Sequence, residues 1–239
     1  MASNTHSVIA NVNGFHRFGA PHWVAMATIA AAAFVAIAAA RRERGASFVR
    51  IGLSLLLAAT MVTYLVSEAA RGTLTGLDFL PFHLSDFAVF LAIFALLTRR
   101  QRAAELLYFL AIAELLAILT PDVERGLRDP RTMVFFMLHG GTLVAALALT
   151  FGFRLMPEKG AVVRTLLFLN GYAGFAALVN LALGTNFLYL RQKPAQSSPL
   201  DWMGPWPWYL LTAEIVALVL FSVMYLPFRR HPPPAGSTV

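Results

Sequence analysis

The sequence predicts an all-α fold, a polytopic transmembrane helix bundle of about seven spans, on three observations. The 239 residues are 58% hydrophobic and only 13% charged, whereas a soluble domain carries about 25% charged residues. That leaves too little polar surface to cover a water-soluble globule, and the mean hydropathy of +0.66 agrees. The apolar residues fall in long runs of about 20, the length an α-helix needs to cross the hydrocarbon core. The basic residues sit in short clusters between those runs. None of the runs alternates with period two, so a β-barrel is disfavoured.

The expected spans, in order, are 23–40, 51–70, 79–98, 103–120, 132–151, 164–183 and 208–228. The first is read as a retained helix, because no charged n-region or cleavage site precedes it. Arg41, Arg42, Arg44 and Arg50 separate it from the second, and the third opens beside Pro81. Proline is tolerated at a helix start because the N–H it lacks has no intrahelical partner there. The expected organisation is an extracytoplasmic segment 1–22, a transmembrane domain 23–228 and a cytoplasmic, disordered tail 229–239 holding Pro232, Pro233 and Pro234. No internal repeat is visible.

Basic residues set the orientation. Arg41, Arg42, Arg44 and Arg50, then Arg99, Arg100 and Arg102, then Arg154, Lys159 and Arg164, follow the first, third and fifth spans, and Arg229 and Arg230 the last. The segment 121–131 on the other side balances its arginines with Asp122, Glu124 and Asp129. The positive-inside rule puts the N-terminus outside and the C-terminus in the cytoplasm. The same clustering reads the net charge of +7 as membrane topology and excludes nucleic acid as a partner. With no cysteine in the chain, disulfides, thiolate catalysis and Cys-ligated metal are excluded.

Ionisable groups at bilayer depth are functional hypotheses by default. Glu114, His139, Glu214 and Ser85 lie five to seven residues from the outer ends of their spans, about 7–11 Å deep at 1.5 Å per residue, as if lining an outward-opening polar chamber. His83 and Asp86, three apart on one helix face, can pair. Ser85 points elsewhere and needs a base before it can act as a nucleophile. His139, followed by Gly140 and Gly141, is the best-placed imidazole. The candidate catalytic set is Ser85 as nucleophile, His139 as base, and Glu114, Glu214 or Asp86 orienting the imidazole. His83, Glu214, Asn180, Asn186, Arg191, Lys193 and Trp206 are candidate substrate contacts, with Arg191 and Lys193 suited to an anionic headgroup. Trp202, Trp206 and Trp208 suit an aromatic belt. Glu105, near the cytoplasmic end, reads as a surface residue paired with Arg102 or Arg99, and Asn170 and Asn180 read as interhelical partners. His83, Asp86, His139 and a Glu offer zinc-type donors, but HxxxH and HExxH spacings are absent and His6, His16, His22 and His231 lie near the termini. Neither metal nor cofactor is expected, and no phosphate-binding glycine loop exists.

Several strings carry a resemblance: Leu80-Pro81-Phe82-His83-Leu84-Ser85-Asp86, Glu105-Leu106-Leu107-Tyr108-Phe109, Leu119-Thr120-Pro121-Asp122, Phe135-Phe136-Met137-Leu138-His139-Gly140, Thr185-Asn186-Phe187-Leu188-Tyr189-Leu190, Lys193-Pro194, Gly204-Pro205-Trp206-Pro207-Trp208-Tyr209 and Tyr225-Leu226-Pro227-Phe228. From Leu80 onward the chain resembles the YwaF-like family of bacterial integral membrane proteins. That family is similar to a eukaryotic transmembrane glycerophospholipid acyltransferase and, more distantly, to membrane hydrolases of fatty-acid esters. The resemblance implies a small nucleophile on one helix and a histidine on another, at Ser85 and His139. It also implies a bacterial cytoplasmic-membrane location. Relatives often carry Cys where this chain has Ser85, and a hydroxyl demands a stronger base than a thiol.

The expected function is a lipid-directed acyl hydrolase or acyltransferase whose partners are the bilayer and a membrane lipid or fatty-acyl ester. The alternatives are a proton-coupled transporter or ligand-binding membrane protein, and a non-catalytic membrane scaffold.

Overall fold

A computed structural model describes residues 15–123, 125–194 and 198–229. Residues 1–14 of the expected N-terminal segment, residues 230–239 of the expected tail 229–239 and the loop residue Glu124 lie outside them. Seven α-helices follow in the expected order: α1 Ala20–Ala40, α2 Glu43–Ala70, α3 Leu84–Thr98, α4 Gln101–Leu119, α5 Pro130–Leu147, α6 Ala161–Leu183 and α7 Trp208–Tyr225. A π-helical turn, Ala148–Gly152, prolongs α5, and a 3-10 turn, Leu226–Phe228, ends α7. The described residues contain no β-strand.

Five helices, α1, α2, α5 with its π turn, α6 and α7 with its 3-10 turn, are long and apolar enough to cross a membrane. The two exceptions differ from expectation for separate reasons. α3 begins at Leu84 rather than 79, because a 3-10 turn at Gly76–Phe79 and a bend through Pro81 come first, leaving 15 helical residues. α4 has 19 residues but carries Arg102, Glu105 and Glu114, and 11 of its 19 are buried, so it is enclosed by protein.

The described residues group into two compact units. One gathers the chain up to Phe79 with Ala88–Leu155; the other gathers Leu80–Phe87 with the chain from Met156 onward. In the first unit α4 packs along α5, and α5 along α1 and α2. Ala33, Ala36 and Ala40 of α1 meet Val49, Val144 and Ala148 in a core of small side chains, which lets helix backbones approach closely. Arg50 of α2 closes the end of α3, its Nε and Nη2 donating to the Leu96 and Leu97 carbonyls at 2.7 and 2.6 Å. Carbonyls of a last helical turn lack intrahelical donors, so these bonds satisfy them.

α5 starts at a capped N-terminus: the Asp129 carboxylate accepts from the Arg131 N–H at 3.0 Å and Pro130 follows it. Burial pushes the Asp129 carboxyl up, but the Arg131 and Thr132 N–H groups and the Arg125 guanidinium outweigh it and hold it below the usual carboxylate range. We expect Asp129→Ala to cost about 1 kcal/mol at neutral pH. Because the folded value is depressed, this stability is present above the ordinary carboxylate range and is lost as pH falls through the folded value. Unfolding scans of both proteins from pH 7 downward should show the gap closing in acid; a constant gap would refute the cap.

In the second unit α6 packs on α7, and both expose apolar side chains along their length. The residues before and at the start of α3 insert here: Phe87 stacks on Phe168 at 5.7 Å and lies 4.7 Å from the Tyr172 ring. The Tyr172 hydroxyl donates to the Pro81 carbonyl. Asn180 is fully buried and organises the turn after α6. Its Oδ1 accepts from the Phe187 N–H at 2.7 Å and the Thr185 hydroxyl at 2.8 Å, and its Nδ2 donates to the Phe187 carbonyl at 3.0 Å. The expectation of an interhelical role is thereby corrected: its partners lie five to seven residues ahead on the same strand of chain. Asn180→Ala should cost about 2–3 kcal/mol by leaving Phe187 backbone groups unpaired in a buried site. Faster hydrogen exchange at the Phe187 amide would register that loss directly, and unchanged protection would contradict it.

Candidate catalytic dyad

Within the first unit, Glu114, one of the three carboxylates expected as partners of His139, is bonded to it. Glu114 of α4 and His139 of α5 meet with Nδ1 and Oε2 2.6 Å apart. The Glu114 side chain is 3% exposed and the His139 side chain 17% exposed, so the carboxylate is screened from solvent while the imidazole keeps an open edge. Phe135, one turn earlier on α5, packs its ring 4.3 Å from that of His139. With the Glu114 carboxylate ionised, it would only accept, so Nδ1 would carry the proton and Nε2 would keep its lone pair. The arrangement fixes the tautomer, orients the ring and stabilises the imidazolium that forms when Nε2 takes a proton.

The other predicted residues distribute as follows. In the second unit, His83 immediately precedes α3, is exposed, and sets its ring edge-on to Phe187 at 5.2 Å. Ser85 and Asp86 occupy the first turn of α3, both half-buried. Glu214 of α7 accepts from Asn170 Nδ2 of α6 at 2.7 Å, which bears out the interhelical role expected of Asn170. Asn186 Oδ1 accepts from the Arg191 N–H at 3.0 Å and the Gln192 N–H at 3.3 Å. Arg191 returns a guanidinium N–H to the Thr185 carbonyl at 3.3 Å, and Lys193 Nζ sits 5.6 Å over the Tyr209 ring. Trp206 Nε1 donates to the Leu190 carbonyl at 3.1 Å. This loop is therefore a built turn, with Leu188 and Tyr189 held at φ +57° and +54°, a strained region for residues with a side chain.

One reading is corrected here. Glu105 is not a surface residue: it is 2% exposed, although its pairing with Arg102, at 3.4 Å, is as expected. Its burial follows from the enclosure of α4. Glu68 ends α2 in a set of ion pairs and hydrogen bonds. It accepts from Arg71 at 2.7 Å, from Thr73 at 2.6 Å, and from both Nε and Nη2 of Arg131 at 3.1 and 3.0 Å, pinning the end of α2 to the start of α5.

One residue escaped the sequence reading. His22 of α1, grouped there with the terminal histidines, is fully buried. Its Nδ1 accepts from the Phe18 N–H at 2.8 Å, and its Nε2 donates to the Ile118 carbonyl at 2.8 Å, satisfying the end of α4 one turn beyond Glu114. The available signal was its place behind Pro21 at the start of an apolar run, where a polar ring must be fully bonded. Among the described residues, no three His, Asp or Glu side chains converge as a metal site.

Comparison with known proteins adds a family. The sequence profile of the TMEM164 family matches residues 17–225. An uncharacterized protein of Treponema pallidum (strain Nichols) is 28% identical over 247 aligned residues, spanning 92% of this chain and 93% of its own. No solved structure matches.

Proposed function

Because this chain belongs to the TMEM164 family of membrane proteins, we propose that it transfers or hydrolyses acyl groups of membrane lipid esters, using His139 oriented by Glu114 as its general base. The observation that carries this reading is the 2.6 Å bond between a buried carboxylate and an imidazole whose second nitrogen is left for chemistry. The acyl specificity comes from the resemblance to the YwaF-like proteins, and so does the nucleophile, Ser85. In the proposed cycle the nucleophile's hydroxyl oxygen bonds to the ester carbonyl carbon as the general base takes its proton. The tetrahedral intermediate then expels the alcohol, which takes that proton back, leaving an acyl-serine. Water, or the hydroxyl of an acceptor lipid, then repeats the sequence and releases the acyl group. Arg191 and Lys193 are proposed to meet an anionic headgroup, and His83, Asn180, Asn186, Trp206 and Glu214 to bound the substrate. Asp86 is the alternative orienting carboxylate on the nucleophile's own helix.

Incubating the purified protein with mixed phospholipid esters and measuring intact mass tests this. A wild-type adduct of one acyl mass, absent in Ser85→Ala and slowed in His139→Ala, is expected. Products that need His139 without any adduct would replace the acyl-serine by direct attack of water. If neither adduct nor product forms, the catalytic reading falls.

A second reading, proton-coupled transport, is favoured by one observation: Glu105 is also buried on α4, so the interior carries a second ionisable group. Proton-coupled uptake into proteoliposomes that disappears in Glu114→Gln would select it. A bacterial cytoplasmic-membrane location, with the N-terminus outside, belongs to the proposal; a reporter fused after Val239 should be active only in the cytoplasm.

A further inference from the structure

A groove of about 360 Å³ runs between α1, α2 and α5 in the first unit. We propose that it is a binding site for one membrane phospholipid, distinct from the dyad, with an acyl chain in the groove and the phosphate at Arg125 and Arg128. Its volume falls in the range of small-molecule sites, and its only polar lining side chain is Thr28, whose hydroxyl already donates to the Val24 carbonyl at 2.8 Å. The lining side chains thus offer an occupant no free hydrogen-bond donor, and the medium around three membrane-crossing helices is hydrocarbon.

The length fits one chain. On α5 the groove extends from Met133 to Val144, about 16 Å at 1.5 Å per residue, or half of a hydrocarbon core of about 30 Å. Leu127, in the connection just before α5, also lines the groove and lies between Arg125 and Arg128 in sequence, both exposed. Arg125 reaches Asp129 at 3.4 Å with one nitrogen, and a guanidinium has further N–H donors for phosphate oxygens. Apolar walls of one-leaflet length, beside a connection that carries two exposed arginines before the α5 N-terminus, match a phospholipid better than a neutral lipid.

The groove is not the dyad's substrate pocket by another name. Met133, Phe136, Met137, Gly140, Gly141 and Val144 recur on one face of α5, and His139 points about 130° away from the centre of that face. The bound lipid is therefore a resident of the fold rather than the ester being cleaved.

The test uses the full-length protein in nanodiscs, in both wild-type and His139→Ala forms, with a phospholipid carrying a photoreactive diazirine on its acyl chain. A diacylglycerol with the same chain is the control. Labelling should concentrate on residues 24–32 and 133–144, and be equal in His139→Ala, which separates this site from the catalytic proposal. It should fall about tenfold for the diacylglycerol and for the surface double variant Arg125→Ala/Arg128→Ala. It should also fall in Ala32→Trp, which fills the groove, checked for folding by its thermal transition. Labelling spread evenly over exposed α1 positions such as Phe34 and Val35 would mean annular lipid only and would overturn the proposal. Indifference to the phosphate and arginines would do the same, as would cross-links showing a second copy seated in the groove.

Discussion

Glu114→Gln is expected to lower acyl-ester turnover by about 10²–10⁴-fold while leaving the protein folded. The amide is nearly isosteric with the carboxylate and fits the same buried position. What it loses is the negative charge 2.6 Å from Nδ1, which fixes the tautomer with Nε2 unprotonated and stabilises the imidazolium. An amide can instead donate to Nδ1, forcing the proton onto Nε2 and leaving no base. His139→Ala should be at least as damaging, and the double variant no worse than His139→Ala alone, because the carboxylate acts only through the ring. Thermal transitions of all three proteins separate loss of chemistry from loss of structure. Additive losses in the double variant would sink the dyad, as would wild-type turnover in Glu114→Gln.

The second large effect is expected on stability, at two glycines of the first unit. A Cβ on Gly45 would stand 2.3 Å from the Ala39 carbonyl oxygen, and one on Gly152 2.6 Å from the Ala40 Cβ. In both, the obstacle is α1 itself, and at Gly45 only Arg41 and Arg42 separate α1 from α2, so the chain has little slack. Gly45→Ala and Gly152→Ala should each cost up to about 3 kcal/mol, the upper end of ordinary overpacking. Gly140→Ala meets only the flexible end of Ile29, at 2.7 Å, and should cost less. Gly171 and Gly174 on α6 have nothing within 4 Å, so alanine there should stabilise the helix by about 0.5–1 kcal/mol. Unfolding in mixed detergent ranks the five variants, and an unperturbed Gly45→Ala would show that the α1–α2 connection is looser than the packing indicates.

The helices were legible because their determinants are local. Run length, charge segregation and Pro at helix starts placed seven elements in order; α3 starts five residues late, behind Pro81, α2 starts eight residues early at Glu43, running through Arg44 and Arg50, and the other boundaries moved by four residues or fewer. The depth argument put Glu114, His139, Glu214 and Ser85 at one level and left Glu114, Glu214 and Asp86 as equal candidates to orient the imidazole. Equal depth does not specify the rotation of one helix about its axis, and rotation decides which side chains meet. Glu105 was misread for a related reason: position near a span's end suggests exposure, whereas α4 is enclosed along most of its length. His22 was missed because closeness to a terminus in sequence says nothing about burial once α1 packs.

Taken alone, the sequence determined that this is a multi-helix membrane protein without thiol chemistry, and which polar residues lie within its spans. Those properties follow from hydropathy summed along the chain, which no packing arrangement can alter. Only the tertiary structure decided that Glu114 is the carboxylate bonded to His139, twenty-five residues away. It alone decided that Glu68 is neutralised by arginines and that α1, α2 and α5 leave an apolar groove. Each of these depends on angstrom-scale helix rotation and approach, set by the small residues at the helix contacts rather than by any single segment's composition.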